Sequence, residues 1–488
     1  MTRAEIQAVY DTGPEAVISL VERLLAIIAE QQVVITQLTA RVQRLEEQLA
    51  RNSQNSSKPP ASDGFARKTK SRWEKSGRKP GGQPGREGQT LRAVAQPDVT
   101  VSHLPERCAG CDACLCGVVP TDLQRRQVFD LPPLSILVTE HLAGTKSCPA
   151  CGRLNRGEFP AGVTQPVQYG PQLLSLLVYL LVYQLLPYGR VRELVQDLFG
   201  AALAGGTLFT ALGRCYQGLA DTEAQIQAAI REAHCAQFDE TGVRISGKLW
   251  WWHTASTPTL THYTVHRKRG REGSDAGGVL PEFGGIAVHD AWSPYFQYGC
   301  AHALCNAHHL RELQAALERE GQPWARELIA LLVAAHRQVA AARVAGASAL
   351  AAGATEAIVG DYRRWVAAGL EANPPAPPAT AAGGGPKKGR RAQSATRNLL
   401  LRLERYERET LAFLFDFGVP FDNNLAERDL RMLKVQQKVS GCFRSEGGAL
   451  WFGRIRGYLS TMRKQAQPML AAIESVFQGR PLLPQLSA

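Results

Sequence analysis

Apolar residues recur with a helical 3-4 rhythm from residue 14 to residue 50. Val21, Ile28, Ile35, Val42 and Leu49 take one heptad position, and Leu24, Gln31, Leu38 and Leu45 take the other. Eight of these nine are apolar, with glutamates and arginines on the flanks. β-Branched residues at a with leucine at d favour a parallel two-stranded coiled coil, and one polar core residue such as Gln31 fixes the register. The pattern predicts a coiled coil over 1–50 and a homodimer or higher oligomer. An amphipathic helix packed on its own domain is the alternative.

The rhythm then stops. Residues 51–97 are rich in Ser, Pro, Gly, Lys and Arg, with too few apolar side chains to offset the entropy of ordering them, and read as a basic flexible linker. Residues 98–165 hold a cysteine cluster, and 166–232 are helical throughout. Within the latter, RVRELVQDLFG, AALAGG and TLFTALGRCYQGLA read as helix, turn and helix, a spacing that permits a DNA-binding helix-turn-helix with Thr207 capping the second helix. From residue 233 the period shortens to that of strands: CAQFDETGVRIS, KLWWWHTAST, LTHYTVHRK and, after a helical or loop passage, GGIAVHDAW. Helices follow, with an insertion expected at about 315–415 that contains the low-complexity NPPAPPATAAGGGPKKGRR. The chain breaks near Gly418–Asp422, and helix resumes in FDNNLAERDLRMLKVQQKVSG. Three antiparallel strands followed by alternating helix and strand predict a mixed α/β sheet, in a domain spanning 233–445, with a helical tail over 446–488.

Composition sharpens the picture at three points. A length of 488 residues allows roughly three domains, and 44% hydrophobic residues exclude a wholly disordered or fibrous protein. The net charge of +12 suggests a polyanionic partner, and it is local: Arg51–Arg92 holds 11 Lys and Arg against 3 acids, or +8 of the total. Lys68, Lys70, Arg72, Arg78 and Lys79 in this linker are candidates for sequence-blind phosphate contacts. The first residues lack an apolar signal region, and Leu173–Leu186 is shorter than the ~20 residues of a membrane span, so a cytoplasmic protein without membrane association is expected.

Two sets of residues carry chemistry. Cys108-x2-Cys111 and Cys148-x2-Cys151 offer four thiolates to one structural Zn²⁺, although Cys114 and Cys116 compete as ligands. Asp239 lies within the first strand-like run, Asp290 closes the fourth, and Glu427 sits one turn into the late helix. Three converging carboxylates suit two hard divalent ions, Mg²⁺ or Mn²⁺, which promote in-line phosphoryl displacement; capping or surface roles are the alternative. Glu427, Arg431, Lys434 and Lys438 recur at i, i+4, i+7 and i+11 and share one helix face, so the cations are candidates for DNA backbone contact. Asp422 is a candidate N-cap for that helix.

These motifs together, NSSKPPASDG, KPGGQPGREGQTL, CxxC…CPACG, FDETG, HDAW, CNAHHLREL and DNNLAERDLRMLKVQQKVSGCFRSEGG, resemble the insertion-sequence-sixty-six type of DDE transposase, also called TnpC-like. The resemblance implies an RNase H-like catalytic fold, preceded by coiled-coil, zinc-binding and helix-turn-helix-like modules. It implies a triad of Asp239, Asp290 and Glu427, with Glu240 as a substitute for Asp239. It also implies a DNA-contacting Lys434, and the 137-residue step from Asp290 to Glu427 implies the helical insertion. His308 and Arg311 lie in a family motif without an assigned step. The activity implied is metal-dependent cleavage and strand transfer of insertion-sequence ends in a bacterial, nucleoid-associated setting. Transposon ends and target DNA are the partners, with small companion transposition proteins beside them. A nuclease without strand transfer and a non-enzymatic zinc-containing DNA-binding regulator are the competing readings.

Overall fold

The computed structural model describes residues 2–50, 90–351, 353–375 and 393–485. Most of the basic linker, including Lys68, Lys70, Arg72, Arg78 and Lys79, lies outside the described residues. The chain divides into two compact units, Met1–Arg67 with Glu158–Val191 and Ala204–Ala488, and Lys68–Gly157 with Arg192–Leu203.

Helix α1 (Arg3–Asp11) opens with a capping box between Thr2 and Glu5, and α2 (Pro14–Ala50) runs for 37 residues. Its heptad side chains are not covered: Val21, Leu24, Ile28, Ile35, Leu38, Val42, Leu45 and Leu49 are all exposed. In the smaller unit, β1 (Thr145–Ser147) and β2 (Leu154–Arg156) pair antiparallel.

In the larger unit, the greasy stretch noted in the sequence forms α3 (Pro171–Val178) and a following π-helical turn at Tyr179–Tyr183, whose Leu180, Leu181 and Val182 are buried. Next comes α4 (Tyr188–Phe199), which leaves this unit after Val191, and then, within it, α5 (Gly205–Gly218) and α6 (Ala220–Arg231). Thr207 does not cap α5. The N-cap is Ala204, in extended conformation, and Thr207 already lies in the first turn with its N–H bonded to the Ala204 carbonyl.

The sheet comprises β3 (Cys235–Ile245), β4 (Lys248–Ser256), β5 (Thr261–His266), β6 (Ile286–His289) and β7 (Ala301–Leu304), with α7 (Arg271–Ala276) between β5 and β6. Its order is β5-β4-β3-β6-β7; β3, β4 and β5 are antiparallel neighbours, while β3, β6 and β7 run parallel. Among the described residues, six helices then separate β7 from the late block: α8 (Asn306–Glu320), α9 (Pro323–Val344), α10 (Ala354–Ala372), α11 (Ala395–Arg405) and the single turns α12 (Glu407–Thr410) and α13 (Ala412–Phe415). They close around their own apolar core, which includes Leu313, Leu328, Leu332, Tyr362, Leu400 and Phe413.

The chain returns to the sheet with α14 (Asn424–Ser440), α15 (Glu446–Lys464) and α16 (Met469–Phe477). Strand alternation divides β3 between two faces. Ala236 and Phe238 join Ile226 and Ile230 of α6 in one core, while the odd-numbered residues face α14. α15 is no appended tail. It packs across β5, and Gly453 permits the approach, since a Cβ there would lie 2.7 Å from the Trp252 ring.

Candidate metal and nucleic-acid site

The register of the parallel strands puts the two aspartates side by side. Cys235, Ala236 and Gln237 pair with Ile286, Ala287 and Val288, so continuing two residues brings Asp239 level with Asp290. On the other side of β6, His289 pairs with Leu304, which brings Cys305 level with Asp290 as well. Three chemically active side chains thus occupy one row at the level where β6 and β7 end, the usual place for ligands in sheets with parallel strands. Backbone strain marks this row: Ala291, directly after Asp290, has φ 68°, a left-handed value that costs a non-glycine residue on the order of 1 kcal/mol or more.

Glu427 arrives from the far end of the chain because the start of α14 is fastened to β3. Asn423 donates its side-chain amide to the Phe238 carbonyl at 2.7 Å, and the Gln237 amide oxygen accepts the Leu425 N–H at 3.1 Å. Asn423 is the N-cap residue, but its side chain makes no cap bond: Nδ2 is held by β3 and Oδ1 is buried without a partner. Asp422, expected as the cap, lies one position earlier and accepts the Asn424 N–H at 3.0 Å. The two oxygens of Glu427 face α8, with His308 Nε2 and Arg311 Nη2 each 3.8 Å away. These contacts give the two α8 residues a place beside the carboxylate.

Asp239 feels the charge of both other acids. Burial, then the Glu240 and Asp290 carboxylates and more weakly Glu427, push Asp239 well above the usual carboxylate range, against the pull of the Glu240 N–H donating to Asp239 Oδ1 at 2.9 Å. Glu427 Oε1 is buried without a hydrogen-bond donor. A pocket of mutually repelling acids with an orphaned oxygen is what divalent ions would relieve, so the residues fit such ions. The three acids are not gathered within 4.8 Å of one another; Asp239, Asp290 and Glu427 are the residues that would hold such ions.

The neighbouring acids are accounted for otherwise. Glu240 points to the opposite face, where Arg269 Nε and Nη2 donate to Oε1 at 2.9 and 2.7 Å and the Tyr295 hydroxyl donates to Oε2 at 2.5 Å. Its two oxygens accept three hydrogen bonds on that face, which argues against Glu240 as a substitute for Asp239. Arg269 is itself held between Trp251 and Trp292, 5.0 and 4.2 Å from their ring centres. Asp429, one turn-half beyond Glu427, is buried and accepts from Ser256 Oγ at 2.7 Å, Thr261 Oγ1 at 3.0 Å and Lys464 Nζ at 2.8 Å. Arg431 and Lys438 are exposed on α14. Lys434 Nζ donates to the Gly242 carbonyl of β3, so this cation also straps the helix to the strand.

One candidate metal ligand, Cys305, escaped the sequence reading. Cys305 Sγ, an imidazole nitrogen of His308 and a Glu427 oxygen lie within 4.8 Å of one another. The Cys-x2-His spacing at the start of α8 was the available signal.

In the smaller unit the two CxxC pairs form matching turns. Cys108 and Cys148 each donate their N–H to the carbonyl five residues on (2.9 and 2.8 Å) and accept at their own carbonyl from the N–H four residues on (2.9 and 2.8 Å). The residue after the second cysteine has positive φ in both, Asp112 at 57° and Gly152 at 72°. Backbone N–H groups at Gly110 and Cys111, and at Cys151 and Ala150, lower the Cys108 and Cys148 thiols. Cys114 and Cys116 lie outside this repeat. The structure does not gather Cys108, Cys111, Cys148 and Cys151 within 4.8 Å of one another.

Comparison with known families agrees with the layout. The transposase IS66 family matches residues 166–450, more than half of the chain, so the chain belongs to that family. A family of unknown function, DUF6444, matches residues 11–92. No curated protein matches the chain. No helix among the described residues is long and apolar enough to cross a membrane.

Proposed function

We propose that this member of the transposase family is a DDE-type DNA strand transferase with an RNase H-like catalytic domain, Asp239, Asp290 and Glu427 being its metal-binding residues. The observation that carries the reading is the shared level of Asp239 and Asp290 on adjacent parallel strands, with Glu427 fastened beside them by Asn423 and Gln237. The mixed sheet order, three antiparallel strands flanked by two parallel ones, supports the RNase H-like assignment.

Two Mg²⁺ or Mn²⁺ ions held by the three acids would supply an activated oxygen nucleophile and stabilise the departing oxygen at a phosphodiester. The chain's own residues do the positioning. β3 and β6 fix the aspartates, and the Asn423 and Gln237 bonds fix the entry of α14. His308 and Arg311 aim the Glu427 oxygens, while Arg431, Lys434 and Lys438 steady the DNA backbone along the same helix. Hydrolysis at a transposon end would free a 3′-hydroxyl, which then attacks target DNA.

The remaining modules fit this work. The matching cysteine turns support a structural zinc at Cys108, Cys111, Cys148 and Cys151. The uncovered heptad stripe of α2 supports self-association that holds two DNA ends in one assembly, with the basic linker and the helices at 166–232 contacting DNA. Companion proteins belong to the same reading.

The test uses full-length protein and a DNA fragment carrying the element's ends. Mg²⁺-dependent nicking that is lost in Asp239→Asn and Glu427→Gln while end binding persists is the expected result, and retained strand transfer in either variant rejects the triad. Transfer of a labelled end into a second duplex separates a transposase from a nuclease.

A further inference from the structure

Cys305, His308 and Glu427 do not resemble a magnesium site. Mg²⁺ takes oxygen ligands, whereas a thiol and an imidazole select softer ions. Cys305 sits at the corner between β7 and α8, fully buried, its Sγ accepting the Asn423 N–H at 3.1 Å. His308 is on the first turn of α8, and its Nδ1 is a buried nitrogen without a hydrogen-bond partner. Glu427 contributes the orphaned Oε1, 3.8 Å from His308 Nε2. Two segments far apart in the chain, the start of α8 and the first turn of α14, therefore bring one sulfur, one nitrogen and one oxygen within 4.8 Å. Around a tetrahedral ion with bonds of about 2.0–2.3 Å, such ligands stand roughly 3.5 Å apart, so only a modest contraction is needed. Three protein ligands leave the fourth position to water.

We propose that Cys305, His308 and Glu427 bind one thiophilic divalent ion, Zn²⁺ by its ligand chemistry, and that this ion competes with magnesium for Glu427. The binding half stands on the cluster alone; the competition half rests on the catalytic reading of Glu427 given above. Zinc then acts as an off-state ligand, because the carboxylate that it holds is withdrawn from the row formed by Asp239 and Asp290.

Cobalt(II) titration of the metal-stripped, full-length protein tests the binding half. Wild-type protein is expected to take up one more equivalent than Cys305→Ser or His308→Asn, with a stronger thiolate-to-cobalt charge-transfer band than Cys305→Ser. Cys108, Cys111, Cys148 and Cys151 are present in every variant and cancel in the difference. Equal uptake by the wild type and both variants overturns the site. Far-ultraviolet circular dichroism reports folding, and His308→Asn carries the reading if Cys305→Ser does not fold. For the competition half, zinc is added to Mg²⁺-supported nicking reactions. Half-inhibition of Cys305→Ser is expected to need at least about tenfold more zinc than the wild type, and identical inhibition overturns the competition while leaving the cobalt result intact. A wild-type protein that never nicks DNA fails the transposase reading instead, and the cobalt titration still decides the site.

Discussion

Glu427 and Asp429 stand two residues apart on α14, yet they belong to opposite regimes. Asp429 is sealed between α14, β4, β5 and α15, where two hydroxyls and the Lys464 ammonium satisfy it. Glu427 faces His308 and Arg311 of α8 at 3.8 Å, and its buried Oε1 has no hydrogen-bond donor. Glu240 and Asp239 repeat the contrast on β3. In the proposed reading, a carboxylate that the fold uses for itself is saturated, and one kept for a ligand is left short of donors among like charges. The difference is legible in partners and absent from residue type.

The sharpest way to break this comparison is to neutralise one acid of each kind. Asp239→Asn is expected to lower Mg²⁺-dependent nicking at least about 1,000-fold, on the order of 4 kcal/mol in the barrier. Its thermal midpoint should not fall, because the substitution removes repulsion from Glu240 and Asp290. Retained nicking, or a loss of stability comparable with that of a sealed acid, would put Asp239 in the wrong regime. Asp429→Asn should do the reverse. It leaves Lys464 as a nearly buried cation without its counter-charge, a change that costs roughly 3 kcal/mol of folding stability in denaturant titration. Nicking by the fraction that stays folded should persist.

How much of this was open to sequence reading follows from the same contrast. The strand-like runs showed Asp239 and Asp290 as acids in places that usually hold apolar residues, and the change of period at residue 233 showed the sheet. Register was invisible, because pairing Gln237 with Val288 depends on crossovers that no local pattern encodes. So the row of Asp239, Asp290 and Cys305 could not be seen, and Cys305 passed as one more buried thiol. The two cap expectations failed for one reason. A cap is chosen by where the chain enters the helix, and tertiary bonds set that entry: Asn423 is held by β3, and α5 starts at Ala204. The stripe on α2 was legible in full as a pattern, since a heptad needs no tertiary context.

The sealed side of the sheet also titrates, and this gives a smaller test. His262 on β5 is buried, contacts Gln227 at 3.1 Å and Thr264 Oγ1 at 2.9 Å, and burial pushes it down to about 4. Its folded value lies below the unfolded one near 6.5, so the unfolded chain binds the extra proton between those limits. The contribution is complete above pH 6.5 and is lost as pH falls towards 4. Replacing it by glutamine should flatten the acid limb of a stability-versus-pH curve by about 3 kcal/mol, measured between these two limits. His253, pushed to about 4 by its own burial, leaves part of the slope in place. An unchanged acid limb would mean that His262 charges freely in the folded protein.

Lys434 falls between the two regimes and gives the smallest effect. Its ammonium donates to the Gly242 carbonyl, which makes it a strap, but the residue is exposed on the helix face that carries Arg431 and Lys438, which makes it a DNA contact. Partial desolvation of the ammonium beside β3 lowers its affinity for the proton, so a phosphate oxygen arriving nearby would stabilise the charged form. Lys434→Met keeps the apolar stem and removes both functions. If the lysine reaches phosphate, DNA affinity should fall by less than about tenfold, and the slope of log affinity against log salt should shrink by about 0.9, one released counterion. If it is only a strap, the salt slope stays fixed and the loss appears as a fraction of a kcal/mol to about 1 kcal/mol of folding stability. The two outcomes separate along the line that divides Glu427 from Asp429, because a group with a free lone pair or proton to offer answers to salt and ligand, and a group without one answers only to denaturant.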